Sequence, residues 1–260
     1  MTTVNPYAAP KAAVADETFA LNADFVPGGQ SRPAGHGWSW IEEGWALFKI
    51  QPGLWIGMTL VTFLIFFAMG LVPFVGGVIS TLLWPVFLAG LAIGCKTLDE
   101  GREMELGHLF AGFRENVGAL IGTGALALAA TIAVMLFVFA VLGVGIFGVG
   151  GADPQSASVI GVTMLLGILI SIALLLPVVM AMWFAPLLVV FQKLGAWAAI
   201  KESFRGCLHN IIPFLLYSVI LLGLLIVAVL PLGLGLLILW PVGMASVYTA
   251  YRDIYLKPRP

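Results

Sequence analysis

Six runs of about twenty apolar residues shape this chain, and no Asp, Glu, Lys, Arg or His sits in the middle of any of them. They cover roughly 54–74, 77–97, 118–145, 164–191, 211–230 and 233–251. Where water is absent, a backbone must satisfy its own polar groups, and a helix does so within one segment. An all-α integral membrane fold follows. Composition agrees: 61% of the 260 residues are hydrophobic and 10% charged, with a mean hydropathy of +1.07. Soluble domains carry about 25% charged residues.

All 12 lysines and arginines fall on one side of an alternating reading of these runs. They group before the first run (Lys11, Arg32, Lys49), after the second (Lys96, Arg102, Arg114), after the fourth (Lys193, Lys201, Arg205) and at the end (Arg252, Lys257, Arg259). Short loops rich in Lys and Arg stay in the cytosol. The pattern therefore predicts six spans with both termini cytoplasmic. The first apolar run begins near Leu54, too late for a cleaved signal, and is expected to remain as a span. Basic and acidic residues crowd the same cytosolic surface and largely cancel, to a net charge of −1, and nucleic acid is not indicated. Cys95 and Cys207 lie toward the cytosolic side, where thiols stay reduced, so no disulfide is expected.

Residues 1–36, rich in Ala, Pro and Gly, read as a disordered cytosolic tail, and 37–260 as the membrane domain. The tail's Asn5-Pro6-Tyr7 start has two readings, a solubilising arm or a short motif that docks on a cytosolic partner. Three segments, 38–50, 106–115 and 195–210, mix aromatics with charges and predict short interfacial helices. An internal threefold repeat organises the rest. At an offset of 65, Trp45, Phe48, Lys49, Gln51, Gly53, Ile56 and Gly57 meet Phe110, Phe113, Arg114, Asn116, Gly118, Ile121 and Gly122. At an offset of 159, Ile41, Glu43, Gly44, Trp45 and Gln51 meet Ile200, Glu202, Ser203, Phe204 and Asn210. The copies, approximately 37–102, 103–193 and 194–252, each read as an interfacial helix followed by a helical hairpin. With two spans apiece they are parallel, related by an axis along the membrane normal.

A proline stands inside each returning helix, at Pro85, Pro177 and Pro241. Each removes a backbone hydrogen bond and frees a carbonyl, so the kinks serve helix packing or line a cavity. The middle copy is longer: Phe113 to Pro177 spans 64 residues, against 37 from Phe48 to Pro85. The excess falls in the glycine-rich, mostly apolar segment 143–164, which is expected to tilt, re-enter the membrane or pack on a membrane-protein partner. GxxxG spacings at Gly53/Gly57, Gly90/Gly94 and Gly118/Gly122 permit close helix approach, between repeats or at an oligomer seam. Trp38, Trp40, Trp45, Trp55 and Trp197 are expected to anchor the chain at headgroup level.

Chemistry is sparse. His36, His108 and His209, with the two cysteines, show no CxxC, HxxxH or HExxH spacing, so no metal or cofactor is expected. The carboxylates Glu42, Glu43, Asp99, Glu100, Glu103 and Glu105 are interleaved with basic residues, as on a solvated face. No nucleophile elbow, phosphate loop or triad pattern exists, and no catalytic residue is assigned.

The segments Asn5-Pro6-Tyr7-Ala8-Ala9-Pro10, Gly37-Trp38-Ser39-Trp40-Ile41-Glu42-Glu43-Gly44-Trp45, Pro52-Gly53-Leu54-Trp55 and His108-Leu109-Phe110-Ala111-Gly112-Phe113 resemble a proteobacterial family of multi-pass inner-membrane proteins of unassigned function. The likeness covers nearly the whole chain and implies a location without a mechanism. More distantly, the hairpin pattern with Lys201-Glu202-Ser203-Phe204 before a span is similar to the membrane domain of some glycerophosphodiester phosphodiesterases. Their catalytic barrel has no counterpart here, so that activity does not carry over. Two functions fit. One is a non-enzymatic accessory protein that binds membrane lipids or a membrane-protein partner, with Lys49, Arg114 and Arg205 facing anionic headgroups. The other is a small transporter or channel for a neutral or amphipathic solute, with a path past Pro85, Pro177 and Pro241. A closed core argues for the first and a central water-accessible path for the second.

Overall fold

The computed structural model describes residues 25–147 and 154–257. Residues 1–24 of the expected tail and 148–153 of the long outer segment lie outside the described residues. In chain order the helices are α1 (His36–Ile50), α2 (Pro52–Gly70), α3 (Val75–Asp99), a 3-10 helix (Leu106–Arg114), α4 (Val117–Phe147), α5 (Pro154–Trp183), α6 (Ala185–Gln192), α7 (Ala196–His209), α8 (Ile211–Val229) and α9 (Leu236–Tyr255). Apart from an isolated antiparallel bridge between Phe25 and Leu256, the described residues are helix and connecting turn.

Local chemistry explains the boundaries. In α1 the buried residues Gly37, Trp40, Ile41, Gly44, Leu47 and Phe48 recur every three or four positions, which makes one apolar stripe. Gln51 ends that helix, and Pro52, whose missing N–H costs nothing in a first turn, starts α2. Lys193 adopts a left-handed conformation that stops α6.

Five segments are long and apolar enough to cross a membrane: Pro52–Gly70, Val75–Asp99, Val117–Gly143, Gly161–Gln192 and Ile211–Val229. The last expected span, 233–251, falls on α9, which is less apolar because its second half carries Ser246, Tyr248, Thr249, Tyr251, Arg252 and Asp253. The fourth span does not run as one straight helix. It breaks at Phe184 into α5 and α6, where Pro186 cannot continue the hydrogen-bond ladder and the Ser203 hydroxyl accepts the Phe184 N–H at 2.9 Å. Much of the excess in the middle hairpin enters helix: α4 has 31 residues and α5 has 30, about 45 Å each, against 19 in α2 and α8.

The packed core sits at one end of the molecule, the end that also holds the charges. It is built from the second halves of α3 and α9 and all of α6, including Val86, Ala89, Cys95, Ala185, Leu187, Leu188, Ala245 and Ile254. Phe191 packs on Tyr248 and Tyr251 at centroid distances of 6.1 and 5.4 Å, closing the space between α6 and α9. Three amphipathic elements gird this core: α1 rests on α9, the 3-10 helix on α3, and α7 on α5 and α6. Their contacts are close. A Cβ at Gly44 would lie 2.8 Å from Ser246 N, and one at Gly112 would collide with Val86 O. Away from this end α2, α4, α5 and α8 expose Phe63, Phe67, Phe139, Ile172, Leu215 and Val219, an apolar surface that only a non-aqueous surrounding tolerates at such extent.

Residues 25–35, just ahead of α1, are more ordered than their composition suggests. Residues 25–35 form a strap along the end of α9: Val26 N donates to Tyr255 O and Gln30 N to Ile254 O, each at 2.8 Å. Asn210, at the joint of α7 and α8, accepts Arg32 N at 2.8 Å and donates to Gln30 O at 2.9 Å. Partners more than 170 residues away hold this stretch, and no local composition rule registers them.

Candidate functional site

The charged end of the molecule gathers the polar chemistry in three ties. Asp253 receives the Arg32 Nε at 3.0 Å, and its Oδ2 lies 2.8 Å from both Trp40 Nε1 and His36 Nδ1. Arg252 donates to Asp99 and, at 2.7 Å, to Glu43, while the Tyr248 hydroxyl donates to Asp99 at 3.1 Å. This second tie joins α1, α3 and α9. In the third, Gln192 donates to the Tyr251 hydroxyl at 2.7 Å, and the Tyr255 hydroxyl donates to Glu202 O at 2.7 Å. The carboxylates of the first two ties are held by cations or hydroxyls that also bind helices together, an arrangement that suits structure.

The two thiols are equally engaged. Cys95 and Cys207 are free and buried. In α7, burial pushes the Cys207 thiol up to about 12 from an ordinary 9.0, and its Sγ lies 3.4 Å from Met180 O. A thiol that keeps its proton is a poor nucleophile. Among the described residues no three His, Cys, Asp or Glu side chains converge as a metal site would require.

Outside these ties lie the residues singled out as headgroup candidates. Lys49 closes α1 and Arg114 closes the 3-10 helix, both exposed and without a carboxylate partner among the described residues. Arg205 differs, because its guanidinium pairs with Glu202 at 3.0 Å. On the same helix Lys201 is exposed and stands 6.0 Å from the ring centroid of Trp197. Each girding element thus presents an exposed aromatic and, four residues on, an exposed cation: Trp45 and Lys49, Phe110 and Arg114, Trp197 and Lys201. The third pair escaped the repeat alignment because it sits seven residues, two helical turns, ahead of the aligned position.

The three prolines do not share one environment. Pro85 and Pro241 are buried, beside the packed pair Trp84 and Trp240 at 5.7 Å. Pro177 is exposed and lines a lateral cleft, while the buried proline of the middle hairpin is Pro186. Two tryptophans also differ from expectation. Trp40 and Trp55 are 1% exposed and belong to the core, whereas Trp38, Trp45 and Trp197 face outward. Among the glycine pairs, Gly90 and Gly94 pack against the 3-10 helix and Met104, while Gly53, Gly57 and Gly118 meet open space.

The cleft has a volume of about 220 Å³ and opens between α4, α5 and α7. Leu126, Ala127 and Ala130 of α4 form one wall, Pro177, Val178, Ala181 and Met182 of α5 the other, and Trp197 and Ile200 of α7 its rim.

Over 193 residues, 71% of each chain, the sequence is 26% identical to a probable inner membrane protein of Burkholderia thailandensis. The chain is a membrane protein, distantly related to that one. No family model matches it, and no solved structure does.

Proposed function

We propose that this protein is a non-enzymatic accessory component of the bacterial inner membrane that binds lipids, or a membrane-protein partner, through the surface around its charged end. The observation that carries this reading is the closed core. The second halves of α3 and α9, with α6, meet through fully buried residues, and the prolines expected along a solute path are either packed inside (Pro85, Pro241) or turned outward (Pro177). A transporter needs a site lined by irregular backbone or polar groups near mid-membrane, and the polar groups here cluster at one end in ties between helices.

The girding elements supply the positive side of the argument. Their exposed aromatic and basic residues have the character of headgroup-level anchors, and each basic side chain near an anionic leaflet contributes about 1 kcal/mol. With both termini and all the cations cytoplasmic, α9 serves as the sixth span. A threefold arrangement is supported by similar seats. Gly44 lies against Val242 and Ser246 and its aligned Ser203 against Met180 and Phe184, while Gly112, three residues past the position aligned with Gly44, lies against Val86, so a small residue of each girding element meets a returning helix or its end.

Native mass spectrometry of the protein extracted gently from its own membrane tests the proposal. Retained phospholipid or a stoichiometric partner is the expected result. A chain that carries neither refutes it and favours solute-flux assays in liposomes.

A further inference from the structure

The lateral cleft allows a more specific statement, which rests on the lipid-binding reading above. We propose that the cleft between α4, α5 and α7 holds one acyl chain of an anionic glycerophospholipid whose phosphate sits on Lys201.

Four observations lead there. The walls belong to Val117–Gly143 and Gly161–Gln192, two of the membrane-crossing segments, so the cleft opens sideways toward lipid tails. Its lining is overwhelmingly apolar, and Ala127, Ala130 and Ala181 make the room by being small. The rim is formed by α7, a short amphipathic helix whose Trp197 is 62% exposed, which marks the depth where tails give way to headgroups. At that rim Lys201 has no carboxylate within ion-pair distance among the described residues, and the Trp197 ring holds its ammonium beside the opening. Its neighbours Lys193 and Arg205 are occupied, by Glu115 at 2.6 Å and Glu202 at 3.0 Å. Among the α6 and α7 cations with a described place, Lys201 is the one left for an anion.

An acyl chain is the occupant that matches this geometry. A water-soluble ligand would find no hydrogen-bond partner on the walls, and a helix from another protein needs a longer contact than a few alanines offer. A phosphate at the rim and a tail in the trench use both halves of the site.

The test uses the full-length protein in detergent, titrated separately with dioleoyl phosphatidylglycerol and dioleoyl phosphatidylcholine and read by native mass spectrometry. The wild type is expected to hold one phosphatidylglycerol more tightly than the remaining lipids. Ala181→Phe, which fills the trench, should remove that one lipid while looser binding persists. Lys201→Gln, on an exposed side chain with no carboxylate partner among the described residues, should weaken phosphatidylglycerol about fivefold and leave phosphatidylcholine unchanged. If both variants keep the wild-type lipid count and preference, the cleft is not the site, though the broader lipid reading stands. If the wild type retains no lipid, both readings fall. A dimer that Ala181→Phe dissociates would assign the cleft to a second copy and overturn the proposal.

Discussion

At the scale of single residues, the closest approaches decide what the chain tolerates. Gly44→Val would push a side chain into the α9 backbone at Ser246 and is expected to cost about 1–3 kcal/mol. Gly53→Val meets open space and should stay within about 0.5 kcal/mol of the wild type. Thermal unfolding in detergent, followed by tryptophan fluorescence, distinguishes the two. The thiols offer a second measurement. Maleimide at pH 8 should leave both cysteines unmodified in the folded protein and label two per chain after denaturation in SDS. For Cys207 the folded thiol keeps its proton to about 12 and the unfolded one to about 9.0. Its contribution to stability is therefore complete below pH 9 and lost as the pH rises from 9 to 12.

At the scale of elements, the seams between helices carry the strain of any change. Asn210 joins α7 to α8 and also fastens the strap, through Arg32 N and Gln30 O. Asn210→Ala strands those groups, so about 1–3 kcal/mol of stability should be lost, and the Arg32 amide should exchange its hydrogen faster than in the wild type. Asp253→Ala removes the acceptor of Trp40 Nε1 and the carboxylate 3.0 Å from Arg32 Nε, and should also lower stability, although the Asp253 carbonyl still accepts from Arg32. Most of this architecture was legible from the residues. Apolar runs located α2 to α5 and α8, because burial in lipid demands them, and mixed aromatic and charged segments located α1, the 3-10 helix and α7. What stayed hidden depends on distant partners. The bend at Phe184 needs Ser203, the buried state of Trp40 needs Asp253, and the strap needs α9. Of the basic residues singled out from the sequence, Lys49 and Arg114 stand exposed at the ends of their elements, whereas Glu202 pairs with Arg205, and the α7 cation without a carboxylate partner among the described residues is Lys201, a difference that depends on side-chain placement.

At the scale of the whole molecule, orientation is the property to establish first. A fluorescent protein that matures only in the cytoplasm, fused to the C-terminus, should glow, and a periplasm-dependent reporter at the same place should stay silent. The opposite pattern would turn every cation outward and remove the basis for anionic-leaflet binding. The girding arrangement also has a temporal side. The 3-10 helix and α7 rest on helices made earlier in the chain, but α1 rests on α9, the last of the described helices to be made. At ribosomal speeds roughly 10–40 s separate the two. During that interval Trp40 and its apolar neighbours wait without a seat. A ribosome that stalls before α9 therefore leaves the start of the protein as incomplete as its end, and a quality-control protease would find its handle at α1.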